Sequence, residues 1–251
     1  LAQNYLARGL WEDAAVEARN IVSILQKRED YPDDAFSRYL AGVCLELGDD
    51  EDAAQFQYRA AGKLAPQFTI DPQTGQLPDR TGPGVSGLSS KQGELICFIA
   101  MGQTRFNSEE PYRPPSSPPY ADIFIQGRRL GRSAMLVNTA DLAWSTWQKD
   151  LAKKTGKQVT RIILKEIISE SVAQKDKDIL LLALEQPDTR HWQTLPLWLG
   201  VMRVPCPADL GEFDIAFSNG DGHVYRQLKI TAPLTRKGNR WISFCRDLPA
   251  P

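Results

Sequence analysis

The chain has 251 residues, of which 42% are hydrophobic and 24% are charged, as is typical of a folded, soluble protein of one or two domains. Residues 1–66 carry 7 basic and 12 acidic side chains, and because the net charge of the whole chain is −1, that segment carries −5 and the remainder +4. This mild asymmetry does not favour nucleic-acid binding. No apolar run reaches the roughly 18 residues that a membrane-spanning helix needs.

Two glycines mark the turns of a repeated helix–turn–helix pattern in residues 1–66. Gly9 and Gly48 are 39 residues apart, as are Ala14 and Ala53, which follow them. A glycine between two helices, with small residues at equal offsets, is typical of tetratricopeptide-like (TPR-like) repeats, which usually bind other proteins. The alternative is an ordinary pair of helical hairpins, but the equal offsets favour repeats. We therefore predict a TPR-like helical arm in residues 1–66.

The position of each turn predicts a partner-binding surface. In such repeats the concave surface is formed by the first helix of each pair. Counting back from the turns, we expect that surface to contain Gln3, Leu6, Arg38, Gly42 and Leu45. Because the pattern begins at Leu1 without a helix cap, we also expect a signal segment or a third repeat upstream of it.

The middle of the chain alternates between irregular and regular segments. Residues 67–93 are rich in proline and glycine and predict a linker. An α+β domain is expected over 94–251, and it begins with a buried strand at 94–100. Its insertion at 107–120 holds five closely spaced prolines, which favour a stiff surface loop over a polyproline ligand for a partner.

The rest of the domain is predicted to be helical first and then β-stranded. Short strands at 121–124 and 134–138 flank a glycine-bounded segment at 127–131, and apolar periodicity indicates helices at 141–153 and 157–174. The apolar run within 176–186 predicts one or two buried helical turns. Alternating patterns over 195–246 predict a small antiparallel β unit, with a hairpin turn at Asn219–Gly222. The predicted fold class is thus α+β, with TPR-like repeats followed by an α/β body that ends in this β unit.

One loop contains residue types that catalysis uses. Asp188, Arg190 and His191 lie within four residues, but neighbouring side chains rarely converge on one reacting atom. We expect instead a structural loop in which Asp188 and Arg190 are hydrogen-bonded and Trp192 is buried. The sequence contains no phosphate-binding loop, serine elbow or dinucleotide fingerprint, so we predict no catalytic residues and no cofactor.

The four cysteines do not have the spacing of a zinc site, so no metal is expected. Cys44 and Cys97 lie in apolar patterns that predict burial. A bond between Cys206 and Cys245 would require their strands to be neighbours, which the sequence leaves open.

Two sequence runs carry a resemblance to a known family: residues 35–42, which resemble many repeat proteins, and the more specific Asp-Thr-Arg-x-Trp-x-Thr-Leu-Pro run at 188–196. With the order of predicted elements, they resemble a family of uncharacterised TPR-containing bacterial lipoproteins. The resemblance implies a periplasmic location at the outer membrane, held only by a possible lipid anchor upstream of Leu1. We therefore expect a non-enzymatic scaffold that binds protein partners in a multi-subunit envelope assembly. The alternative is an exported accessory protein that binds cell-wall glycan or a small ligand.

Overall fold

The computed structural model describes residues 1–27, 32–82, 92–104, 117–146, 195–231 and 234–248, which form a mixed α+β fold. The helices are α1 (Ala2–Ala7), α2 (Trp11–Lys27), α3 (Ala35–Leu47) and α4 (Glu51–Leu64), followed by a 3₁₀ turn at Pro78–Arg80 and a helix over 139–146. The strands are β1 (Gln92–Met101), β2 (Tyr120–Ile125), β3 (Arg128–Arg132), β4 (Ala134–Asn138), β5 (Trp198–Pro207), β6 (Glu212–Ser218), β7 (Val224–Thr231), β8 (Thr235–Lys237) and β9 (Arg240–Arg246).

The predicted helices and turns of residues 1–66 are present in the described part of that segment. Gly9 lies between α1 and α2 with φ of +71°, a conformation that glycine adopts without steric cost. The second turn differs, because the residue with positive φ is Asp49, at 62°, and not Gly48. Gly48 is required for another reason: a Cβ atom there would lie 2.6 Å from the Cβ of Ala15 on α2. This glycine therefore allows close packing between the two helical pairs.

The strands form two sheets. The five-stranded sheet has the order β4-β5-β1-β9-β8 and is antiparallel except between β1 and β9, whereas the four-stranded sheet, β3-β2-β6-β7, is antiparallel throughout. The predicted strands at 94–100, 121–124 and 134–138 are confirmed, as is the hairpin turn between β6 and β7. β3 was not predicted: the turn is confined to Gln126 and Gly127, and the strand begins at Arg128.

The prediction that the strands of 195–246 form a small antiparallel β unit of their own is wrong, because they are divided between the two sheets. β6 and β7 extend the sheet that β2 and β3 begin, while β5 and β9 flank β1 on either side. The pairing therefore mixes strands from both halves of the domain. Hydrophobic alternation indicates strands, but it does not determine which strands pair.

The helices, the five-stranded sheet and the four-stranded sheet form three layers. Alternate side chains of β1 point to opposite faces, so Ile96 and Phe98 join the core beneath the helices while Leu95 and Cys97 join the core between the sheets. Part of the predicted linker is packed as well, since Leu77 is fully buried and the Tyr39 hydroxyl donates to the carbonyl of Gly75. Helices and sheet thus share one apolar core.

Several predicted segments lie outside the described residues. They comprise the helix at 157–174, the helical turns within 176–186, most of the proline-rich insertion at 107–120, and the loop that contains Asp188, Arg190, His191 and Trp192.

Candidate functional site

A cluster of charged side chains lies between the helices and the five-stranded sheet. Glu94 on β1, Arg203 on β5 and Arg240 on β9 occupy strand positions whose side chains point toward the helices, in phase with neighbouring core residues such as Ile96 and Ile242. The helices contribute Glu46 from α3 and Tyr58 from α4. Because β1, β5 and β9 are adjacent strands, the sheet brings together residues that are far apart in sequence.

Arg203 is the centre of this cluster. Its Nε and Nη2 atoms donate to the two carboxylate oxygens of Glu94 at 2.9 and 2.7 Å, and its Nη1 and Nη2 atoms donate to those of Glu46, both at 2.8 Å. Nη1 also donates to the Tyr58 hydroxyl at 3.2 Å. A guanidinium has five N–H donors, so these five bonds use all of them. Arg203 therefore links the helices to the sheet. We call Arg203 and its partners Glu46, Glu94 and Tyr58, together with Arg240, the Arg203 clasp.

Arg240 completes the charge balance of the cluster. Its Nη2 atom lies 2.9 Å from Glu46 Oε1, and its Nε atom lies 3.7 Å from Glu94 Oε2. Two guanidinium groups and two carboxylates are thus combined in one network, which removes the large cost of burying an unpaired charge. The Arg203 side chain is only 2% exposed, whereas that of Arg240 is 36% exposed, at the mouth of the site.

The pKa shifts of these groups preserve the charged form of the network. Burial alone would raise the pKa of Glu46, but the hydrogen bonds and attraction from Arg203, with smaller contributions from Tyr58 and Arg240, hold it below its ordinary value. Burial raises the pKa of Tyr58 well above 10, so its hydroxyl remains protonated and donates to Glu46. Burial would lower the pKa of Arg203, but its interactions with Tyr58 and Glu46 raise it overall.

The Tyr58 ring occupies a slot lined by two glycines. A Cβ atom at Gly42 would lie 2.6 Å from Tyr58 Cε1, and a Cβ atom at Gly75 would lie 2.6 Å from both Cε1 and Cζ. The Tyr39 ring packs nearby, with its centroid 5.2 Å from that of Tyr58. Because the ring is buried and its hydroxyl is bonded to Glu46 and Arg203, the slot fixes one end of the clasp.

A polar cleft of about 250 Å³ opens beside the cluster. In addition to the clasp residues, its wall includes the side chains Glu51, Gln55, Gln73, Thr74 and Gln76. The first two lie on α4 and the others on the turn that follows Asp71. Carboxamide and hydroxyl groups both donate and accept hydrogen bonds, and carboxylates accept them, so the cleft suits a ligand with hydroxyl or amide groups.

The predicted partner-binding residues do not form an open surface. Leu6, Arg38, Gly42 and Leu45 are all buried, and Gln3 is half-buried. The expectation that they point toward a partner is therefore wrong for the four buried residues. The turn glycines show which helix comes first in each pair. They do not show that other parts of the protein, such as the sheet and α4, cover that helix.

Arg38 illustrates why this surface is closed. Its Nε and Nη2 atoms each lie 2.8 Å from a carboxylate oxygen of Asp33, and its Nη1 atom donates to Gln57 of α4 at 2.9 Å. It is only 5% exposed. Arg38 therefore links α3 to α4 and to the segment before α3.

Sequence analysis did not identify any member of the Arg203 clasp. Glu46 lies between Leu45 and Leu47 in an apolar helix, and Arg203 lies between Met202 and Val204 in an apolar strand. A charge at the centre of an apolar pattern indicates a buried ion pair, and this signal could have identified both residues. It could not have paired them, because they are 157 residues apart.

Comparisons of the chain with models of protein families, with curated proteins and with solved structures found no match. Each helix within the described residues is too short or too polar to cross a membrane.

Proposed function

We propose that the protein is a non-enzymatic scaffold subunit that binds other proteins in a bacterial envelope complex, at the periplasmic side of the outer membrane. The 39-residue offset of the two turns supports a TPR-like origin for the helical layer. The resemblance of residues 188–196 to lipoproteins of that class supports the compartment. The clasp fits this role, because it fixes the helices rigidly on the sheet and so presents their outer surface in one orientation.

The outer surface of α2 is the observation that carries this proposal. Its inward face is made of small buried residues, Ala14, Ala15 and Ala18. Its opposite side exposes Val16 by 53% and Ile24 by 48%, a spacing of eight residues that keeps both near one face of the helix. Branched apolar side chains exposed on the same side of a helix gain free energy when a partner covers them. We therefore place the partner surface on this side of α2.

Replacing Val16 and Ile24 together with lysine is expected to abolish the partner contact. Both side chains are exposed, so the free energy of unfolding should change by no more than about 1 kcal/mol. The measurement is crosslinking of the wild type and the variant in native cells, followed by identification of the crosslinked proteins. Val224, which is 43% exposed on β7, provides a control as Val224→Lys. The proposal fails if the double variant retains the wild-type neighbours.

The polar cleft supports a second candidate function, the binding of a cell-wall glycan or another small polar ligand. Within the described part of the chain, the side chains of Glu51, Gln55 and Gln73 have no hydrogen-bond partner. They line a concave site whose floor is the Arg203 clasp, in which all five N–H donors of Arg203 are already bonded. Such side chains can bond to sugar hydroxyl and acetamido groups without disturbing the Arg203 network.

For this candidate, purified protein is expected to co-sediment with isolated cell wall, and Gln55→Ala/Gln73→Ala is expected to remain in the supernatant. Both substitutions remove hydrogen-bonding groups and leave the clasp unchanged. Gln227→Ala, on an exposed position of β7, should still co-sediment. The scaffold would be favoured instead if the wild-type protein stays in the supernatant and is recovered from cells in a complex of fixed stoichiometry.

A further inference from the structure

Two cysteines lie side by side in the core between the sheets. Cys97 on β1 and Cys245 on β9 have their Sγ atoms 3.4 Å apart, which is van der Waals contact between sulfurs. β1 and β9 are hydrogen-bonded neighbours, and both side chains point toward the four-stranded sheet. The hydroxyl of Ser243, two residues before Cys245 on β9, lies 3.6 Å from the Cys245 sulfur.

The other two cysteines do not share this geometry. Cys206 lies on β5, which β1 separates from β9, and it is paired with Gly93, whereas Cys245 is level with Ile99. Six residues of β1 correspond to roughly 20 Å, so Cys206 and Cys245 cannot be joined. Cys44 is buried in the helical layer, on the other side of the five-stranded sheet.

The strand register shows what kind of bond the adjacent pair could form. Cys97 is directly opposite Ser243, so Cys245 is displaced by two residues along the neighbouring strand. Diagonal neighbours on adjacent strands have Cα atoms roughly 7–8 Å apart, slightly beyond the distance that a disulfide bridges without movement of the backbone. A bond between them would therefore be strained, and strained disulfides are the ones that are easily reduced.

Both sulfurs are enclosed in the core between the sheets, where Cys97 is fully buried and Cys245 is 4% exposed. The groove of about 290 Å³ that Cys245 helps to line is formed by Phe36, Leu199 and Phe244 on the helix side of the five-stranded sheet, so it does not lead to the sulfurs. Because the pair is enclosed, it favours a small oxidant over a protein or a peptide. Within the pair, Cys97 donates a hydrogen bond to Cys245 and lowers the pKa of the Cys245 thiol, against the effect of burial.

We propose that Cys245 and Cys97 form a peroxide-reactive thiol pair, in which Cys245 is the attacking sulfur and Cys97 is the resolving sulfur. The Cys245 thiolate attacks one oxygen of hydrogen peroxide, the O–O bond breaks, and the product is a sulfenic acid at Cys245 with release of hydroxide. The Cys97 sulfur then attacks the Cys245 sulfur, forms the S–S bond and displaces the hydroxyl group as water. Overall, two thiols and one hydrogen peroxide give one disulfide and two waters.

The test is treatment of the intact reduced protein with one molar equivalent of hydrogen peroxide. The expected product has lost the mass of two hydrogen atoms and is restored by dithiothreitol. Lysine and arginine residues separate all four cysteines in the sequence, so trypsin places each in its own peptide. Peptide mapping should therefore show the Cys97 peptide linked to the Cys245 peptide, with Cys44 and Cys206 still alkylatable.

Two variants distinguish the roles of the sulfurs. In Cys97→Ala, peroxide should leave a sulfenic acid at Cys245 that dimedone traps, and in Cys245→Ala this labelling should be lost. Cys206→Ala is the control and should form the same disulfide as the wild type. Three results would each overturn the proposal. They are four thiols that can still be alkylated after treatment, oxidation of Cys44 or Cys206 before the Cys97–Cys245 pair, and accumulation of sulfinic acid at Cys245 in the wild type. The peptide map of the wild type tests the proposal even if one of the variants does not fold.

Discussion

Replacing Arg203 with methionine is expected to lower the free energy of unfolding by about 3–5 kcal/mol, the range found when one partner of a buried ion pair is removed. The Glu46 and Glu94 side chains are only 9% and 15% exposed, and without Arg203 the nearest remaining cation is Arg240. For a protein of this size, each kcal/mol corresponds to a Tm change of roughly 2–4 °C, so the loss should reach about 6–20 °C. Thermal unfolding at pH 7 measures it.

The same substitution should reverse the effect of pH on stability. In the wild type the pKa of Glu46 lies below its unfolded value, so its contribution to stability is present above the unfolded pKa and is lost as the pH falls through the folded pKa. In Arg203→Met the main interaction that lowers this pKa is gone, and burial raises it. A raised pKa has the opposite sign, so the variant should gain stability as the pH is lowered from 7 toward 4.5, the ordinary value for this carboxyl.

Arg19→Met provides a matched control for this experiment. Arg19 forms a 2.7 Å ion pair with Asp50, but the two side chains are 54% and 34% exposed. Exposed pairs contribute about 0–1 kcal/mol, so the control should unfold close to the wild type. If Arg203→Met were no less stable than Arg19→Met, the clasp would not hold the helices on the sheet.

Features that depend on nearby residues could be predicted from the sequence. The helices of residues 1–66, the strand at 94–100 and the hairpin at Asn219–Gly222 all follow from apolar periodicity and turn residues within a few positions of one another. The error at β3 has the same origin. Gly127 and Gly131 bound the segment between two predicted strands, yet only the first has positive φ, and Gly131 lies within a strand.

Features that depend on distant residues could not be predicted. The clasp requires β1 to lie between β5 and β9, and no local pattern determines that order. The partner surface was misplaced for the same reason, because Leu45 belongs to a helix whose exposed side is decided by the sheet that covers it. Gly42 was predicted to face a partner because of its position before the turn, whereas the structure shows that a glycine is needed there to leave room for the Tyr58 ring.

Replacing Gly42 with alanine is expected to destabilise the protein, although alanine is the better helix former. In an open position within a helix, this change would stabilise by about 0.5–1 kcal/mol. At Gly42, however, the new methyl group would lie 2.6 Å from Tyr58 Cε1 and 2.8 Å from Cδ1. The ring cannot move away freely, since Gly75 also contacts it and its hydroxyl is bonded to Glu46 and Arg203.

The expected loss from Gly42→Ala is the roughly 1–3 kcal/mol typical of overpacking, and more if the Tyr58 hydroxyl leaves the clasp. Urea unfolding of the wild type and the variant measures it. Gly62→Ala on α4 is the matched control, because a Cβ atom there would lie 3.7 Å from the Cβ of Ile70, an ordinary contact. That variant should be more stable than the wild type by about 0.5–1 kcal/mol. Opposite signs for two Gly→Ala changes within helices would identify the Tyr58 slot as the cause, whereas stabilisation by both would show that Gly42 is not required by the ring.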